Sequence, residues 1–222
     1  EKISQLEYYK RLDRFGKKEY DELFNYARER GIIGFSSPFD AESVDMLAEI
    51  SIPVFKIASC EIPNLKFLEY VAKLDTPIIL STGASTIDEI NRAIETIFEQ
   101  GNQQLMLMAC TLSYPAKNEN ANLLRIRTLR EHYPDFIIGL SDHTEPDQNM
   151  VIPPVAVALG AKIIEKHFTL DRTMKGPDHA ASLEVSGLRM LVERLREQEI
   201  AIGNSHKEVL ECEKANLKKF RN

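Results

Sequence analysis

The sequence has no tryptophan and only three cysteines in 222 residues. Cys60, Cys110 and Cys212 are widely spaced and odd in number. They do not make a disulfide framework; they suit a reducing compartment, and a cytoplasmic setting is expected. No apolar run approaches the ~20 residues of a membrane span, and no stretch reads as a signal peptide. The first residue is Glu1 rather than methionine, so the natural start is expected upstream. Positive charge is in deficit: 28 Lys and Arg against 34 Asp and Glu give a net charge of −6. That leaves no basic field for nucleic acid or an anionic membrane, and neither is expected as a partner. An anionic small molecule would have to be held by a local cluster of positive groups. No G-x-G-x-x-G loop follows any predicted strand, which counts against a dinucleotide fold.

What is present is alternation. Charged helical patterns cover residues 1–30, with Leu6, Tyr9 and Leu12, then Tyr20, Leu23, Phe24 and Ala27 at helical spacing. Gly16 divides the two runs, and Gly31 ends the second as a residue just past a helix does. Strand-like runs follow at Ile32–Phe35, Pro53–Ile57, Pro77–Leu80, Leu105–Cys110, Phe136–Leu140 and Ile163–Ile164. Helical patterns separate them, over about 40–50, 65–74, 86–100 and 122–132 and through the small apolar stretch PPVAVALGA. A last helix runs from about 184 to 201. Six strands, each followed by a helix, predict a parallel sheet with right-handed crossovers. Polar residues follow all six strands. A barrel presents such a ring, whereas a doubly wound sheet gathers its ligand groups at one switch point. A barrel needs eight strands, and the pattern supplies six.

The strand ends carry the chemistry. They bring Ser36 and Ser37; Lys56, Ser59 and Glu61; Ser81 and Thr82; Thr111, Ser113 and Tyr114; Ser141, Asp142 and His143; Glu165, Lys166 and His167. A later loop adds Lys175, Asp178 and His179. Lys56 stands inside an apolar strand, where a lysine is costly unless it is paired or functional. Hydroxyls with lysine suit a phosphate or carboxylate. His143 and His167 end consecutive strands, and two neutral imidazoles with open positions suit a catalytic divalent metal. Single serines and threonines after strands are ordinary turn residues and caps. Glu61 is as well placed to cap the next helix as to act, Glu165–Lys166 reads as a strand-end charge pair, His132 and His206 read as solvent-facing, and Cys60 and Cys110 read as small buried strand-end thiols.

Seven segments together resemble the sialic acid synthase family: FSSPFD (35–40), FKIASCEIPN (55–64), PIILSTGAS (77–85), CTLSYPA (110–116), IGLSDHT (138–144), VALGAKIIEKHFTLD (157–171) and GPDHAASL (176–183). The family condenses phosphoenolpyruvate with an N-acetylated hexosamine to give nonulosonic acids and phosphate. The resemblance implies an α/β fold of the (β/α)8 TIM-barrel type, with six of the eight units in this chain. It places an incomplete barrel over 1–203 and, over 204–222, a linker toward a C-terminal antifreeze-like domain. It implies a divalent metal on His143 and His167, usually Mn2+, with Mg2+ or Co2+ as alternatives. By position, Lys56, Ser59, Ser81 and Ser141 match phosphoenolpyruvate-binding residues, and Ser37 matches a family threonine in that role. Glu61, Tyr114 and Asp178 match residues that contact the amino sugar; with Lys56 they are the catalytic candidates. Cys60 stands where the family usually has glycine, and Leu112 where some members have a polar contact. The resemblance further implies a cytoplasmic homodimer, and that the barrel's first two strands precede residue 1. Two other readings change the outcome: a synthase that takes a sugar phosphate, or a non-catalytic sugar-binding relative.

Overall fold

This computed structural model describes residues 14–146, 150–176 and 178–221. The helix expected around Leu6, Tyr9 and Leu12 lies outside the described residues. The chain continues as α1 (Lys17–Glu29), α2 (Ala41–Glu49), β1 (Phe55–Ile57), α3 (Leu65–Ala72), β2 (Ile78–Ser81), α4 (Ile87–Glu99), β3 (Leu105–Cys110) and α5 (Arg125–His132). Then come β4 (Ile137–Asp142), α6 (Ile152–Ala158), β5 (Ile163–Lys166), α7 (Val185–Ile202) and the short α8 (Lys214–Phe220).

Local chemistry accounts for the boundaries. Thr86 caps α4 with a reciprocal pair: its Oγ1 accepts from the Glu89 N–H, and Glu89 accepts from the Thr86 N–H. Asp40 caps α2 through the Ser43 N–H. Gly31, at φ +71°, ends α1 as its position in the sequence suggests. The helix expected from residue 122 starts later, at Arg125, because Asn122 sits at φ +42°. Pro153 and Pro154 fall in the first turn of α6, where a missing N–H costs nothing.

The sheet is entirely parallel and runs β1-β2-β3-β4-β5 in chain order. A doubly wound sheet reverses direction at a switch point; this one never does. Such a singly wound order is a segment of the barrel arrangement. The sixth strand expected near Ile32–Phe35 does not form a ladder. Ser36 makes one isolated parallel bridge to Phe55, with the Lys56 N–H donating to the Ser36 carbonyl at 3.2 Å. Ile32 and Ile33 are 64% and 71% exposed. A run closed by Pro38, and with no strand on its far side among the described residues, gains too few partners to be regular. Among the described residues the sheet therefore has five strands, where six were expected.

Strand residues alternate between two faces. Phe55, Ile57, Ile78, Leu80, Leu105, Leu107, Ile138 and Leu140 pack in the main core, with Leu68, Val71, Ile94, Ile97, Ile126 and Leu129 from the helices. Each such side chain contributes about 1.5–3 kcal/mol when fully buried. The other face holds a thinner apolar layer, Val54, Ile79 and Met108, with Met106 and Ile163 beside it. Gly139 belongs to this inner face, where a Cβ would clash with Met108 Sδ and meet the Ile163 carbonyl oxygen at 2.8 Å. Glycine there lets three strands approach closely. Above that layer, toward the C-terminal ends of the strands, the inner face turns polar.

Candidate active site

Alternation and register together assemble the polar layer. Lys56 lies on the opposite face from Phe55 and Ile57. Cys110, Ser141 and Glu165 are register partners across β3, β4 and β5, so they stand in one row. They line a cavity of about 560 Å³ with Ser37, Lys56, Ser59, Ser81, Tyr114, His143, His167 and Asp178. That volume suits a small-molecule ligand. Nine of the ten residues to which the resemblance gives a role line it; Glu61 does not. Glu61 lies in the turn Ser59–Glu61 and accepts from Asn64 Nδ2 at 2.8 Å, at the start of α3.

Lys56 is 8% exposed. Its Nζ donates to Ser81 Oγ at 2.9 Å and lies 3.4 Å from Glu165 Oε2. Ser141 Oγ donates to Glu165 Oε1 at 2.5 Å. Ser59 Oγ accepts from the Gly83 N–H at 2.9 Å, which ties the β1 end to the β2 end. One cation, a carboxylate and several hydroxyls therefore face one another in a partly enclosed cavity. Such groups interact more strongly here than at the surface.

His143 is 8% exposed, and its Nδ1 lies 2.8 Å from the Thr111 carbonyl. A carbonyl only accepts, so Nδ1 carries the proton. Ser141 Oγ lies 3.2 Å from Nε2, but its proton goes to Glu165. Nε2 therefore keeps a free lone pair. Burial holds the His143 pKa below the usual histidine value, against the raising effect of the Thr111 carbonyl, so the neutral ligand form is favoured. The ring centroid of His167 is 5.3 Å from that of His143, with the planes at 80°. Asp178 Oδ2 lies 3.9 Å from His167 Nδ1. Tyr114 packs its ring 4.2 Å from the His143 centroid and 5.7 Å from the His167 centroid. Burial pushes its hydroxyl up to about 12, and the negative charges of Cys110, Asp178, Glu165 and Cys60 push the same way. The Tyr114–Pro115 peptide is cis.

Two sequence readings change. Glu165 and Lys166 do not pair with each other, because neighbours on a strand face opposite sides. Glu165 turns into the cavity, while Lys166 turns away and pairs with Asp142 at 2.9 Å. Glu165 is thus a site residue that the charge-pair reading hid. Cys60 is exposed rather than buried, because it sits in a turn beyond the strand; Cys110 is buried as expected. Desolvation raises both thiols, and Glu61 adds to the rise at Cys60, so neither is an activated nucleophile. His132 and His206 are solvent-facing, as read.

The donor set fits a divalent metal: two imidazoles meet at nearly right angles, and one has a fixed tautomer and a free Nε2. Among the described residues no group of three or more His, Cys, Asp or Glu is arranged to hold an ion. The two histidines would leave most coordination positions to ligand or water, as an open catalytic site requires.

A parallel singly wound sheet with a histidine pair, a buried lysine and hydroxyls at its strand ends defines an α/β scaffold of the barrel type. The chain matches the NeuB family over residues 1–207 and belongs to it. It is 41% identical over 216 residues to the N,N'-diacetyllegionaminic acid synthase of Campylobacter jejuni, covering 96% of this chain and 63% of that protein. It is 39% identical over 207 residues to the N-acetylneuraminate-9-phosphate synthase of Mus musculus, covering 93% and 56%. The crystal structure of an N-acetylneuraminic acid (sialic acid) synthetase from Leptospira borgpetersenii in complex with citrate matches with a TM-score of 0.85 at 36% identity. That match covers 94% of this chain and 72% of that one. The chain thus spans between 56% and 63% of the length of these two curated relatives.

Proposed function

We propose that this chain carries the substrate-binding face of a synthase that condenses phosphoenolpyruvate with an N-acetylated hexosamine, giving a nonulosonic acid and phosphate. One observation carries the reading. Lys56, Ser59, Ser81, Ser141, Tyr114, Asp178 and both histidines converge on one cavity at the strand C-termini. The names of several relatives, which are synthases of legionaminic, pseudaminic and N-acetylneuraminic-type acids, support it.

Lys56 Nζ, with the hydroxyls of Ser37, Ser59 and Ser81, holds the phosphate and carboxylate of phosphoenolpyruvate. His143 Nε2 and His167 would hold a divalent ion, Mn2+ with Mg2+ or Co2+ as substitutes, which when bound would supply Lewis-acid polarisation of the acceptor's open-chain aldehyde. Tyr114 and Asp178, at the mouth, bind the sugar, and Glu61 joins them from just outside the cavity. C3 of the enol attacks the aldehyde carbon, water adds at C2, and phosphate leaves the tetrahedral intermediate. Glu165, beside Lys56 and bonded by Ser141, accepts the proton of the adding water. Alignment and electrostatics do most of the work. The whole protein acts in the cytoplasm as a homodimer on the same reading.

A sugar-phosphate acceptor would call for an arginine cluster, and no arginine lines this cavity among the described residues. A non-catalytic relative would have no need of Lys56 or the histidine pair. The test is phosphate release by the whole protein from phosphoenolpyruvate with Mn2+ and a panel of N-acetylhexosamines and their phosphates. Release that needs both metal and an unphosphorylated N-acetylhexosamine supports the reading. Release only with the phosphorylated sugars overturns it.

A further inference from the structure

The two histidines lie just beyond the end of the β-ladder. The last register pair of β4 and β5 is Asp142 with Lys166. His143 and His167 each come one residue later, where ladder bonds no longer fix the spacing between these two strands.

What lies behind them is a closed polar group on the opposite face of the sheet. Lys166 Nζ donates to Asp142 Oδ2 at 2.9 Å and to the Thr144 carbonyl at 2.5 Å. Asp142 Oδ1 accepts from the Thr144 N–H at 2.9 Å and from Thr144 Oγ1 at 2.7 Å. The Lys166 and Asp142 side chains are only 5% and 2% exposed. Thr144 also bridges Ala116, whose N–H donates to the His143 carbonyl at 2.8 Å. The bonded path therefore starts at β5, passes the end of β4 and reaches the loop that carries Tyr114. His143 sits inside it, between two of its members.

We propose that Lys166, Asp142 and Thr144 are positioning residues that set the separation and orientation of His143 and His167. The proposal rests on the metal reading of the site but concerns residues that do not touch the metal. A buried ion pair is a poor source of stability, since a packed apolar pair of similar volume commonly does as well. What an apolar pair cannot do is fix direction. Four bonds converging on one turn can, and a ligand pair needs its geometry held within a fraction of an ångström.

The test compares the wild-type chain with Lys166→Met, with the double change Asp142→Leu plus Lys166→Met, and with Thr144→Val. Three quantities are measured: urea stability, Co2+ affinity from the visible spectrum, and the metal-free His143 imidazole 15N signals. Lys166→Met alone is expected to destabilise, because Asp142 keeps a buried charge with no cation. The double variant is expected to recover stability yet bind Co2+ roughly 10- to 100-fold more weakly, as losses of outer-shell partners do. Its His143 is expected to leave the single Nδ1–H tautomer for an averaged signal. Thr144→Val keeps the charges, the shape and the Thr144 N–H bond to Asp142, and is expected to lose about threefold or more in Co2+ affinity with a smaller loss of stability than Lys166→Met. It decides the matter if the double variant fails to fold. Wild-type affinity and an unchanged tautomer in folded variants overturn the proposal and leave the metal reading intact. No Co2+ binding by the wild type, with the tautomer still lost in the variants, sinks the metal reading and leaves the positioning role standing.

Discussion

Replacing Lys56 with methionine separates its two available roles. The side chain is 10% exposed and donates a hydrogen bond to Ser81 Oγ, with Glu165 at 3.4 Å. Methionine keeps the length and apolar bulk. Ser81 loses a donor, and Glu165 loses a cation but keeps Ser141 and is 34% exposed, so water can reach it. Removing a nearly buried ammonium offsets much of that loss, so the stability change is expected to be within about 1 kcal/mol. The effect on an anionic ligand is larger. One charge-assisted hydrogen bond contributes about 1.5–3 kcal/mol, or roughly 10- to 150-fold in affinity. Calorimetric titration with phosphoenolpyruvate, beside urea unfolding of the same preparations, reads both quantities. Unchanged affinity with a stability loss above about 3 kcal/mol would show that Lys56 is only a structural ion-pair partner.

Gly139→Ala should cost roughly 1–3 kcal/mol, read as a lower urea midpoint, because the added Cβ meets the Ile163 carbonyl as well as the movable Met108 side chain; an unchanged midpoint would mean that the strands tolerate a wider spacing. Tyrosines give a test at high pH. Burial raises the hydroxyl of Tyr133, and Asp88 adds to it; Tyr114 is pushed up to about 12. In both, the folded state holds the proton more tightly than the unfolded chain. The stability they contribute is complete below the ordinary tyrosine value near 10 and is lost as pH rises through the higher folded values. Ultraviolet titration should show phenolates that form late, and Tyr114→Phe should remove the part near 12; simple titration of all tyrosines near 10 would contradict both placements.

Much of this architecture is legible in the sequence because period-two alternation is strong in β1 to β5. Phe55, Ile57, Ile78 and Leu80 on one side, and Lys56 and Ser81 on the other, follow from spacing alone. The segment at 32–36 misled because β-branched residues mark strand preference, not the presence of a partner. Glu165 was hidden by its neighbour: opposite charges adjacent in sequence look paired, although a strand sends them to opposite faces. The same alternation, applied to Asp142 and Lys166, would have located the pair behind the histidines. The fixed tautomer of His143 was not legible, since it depends on the Thr111 carbonyl, 32 residues away.

The central claim is that His143 and His167 together form one open metal site. Titration of the chain with Mn2+, followed by the loss of the free-ion paramagnetic resonance signal, tests it most directly. The account predicts one tightly held ion per chain, released by chelator and abolished in His143→Ala plus His167→Ala. Absence of binding in the wild type, or equal binding in the double variant, would contradict it.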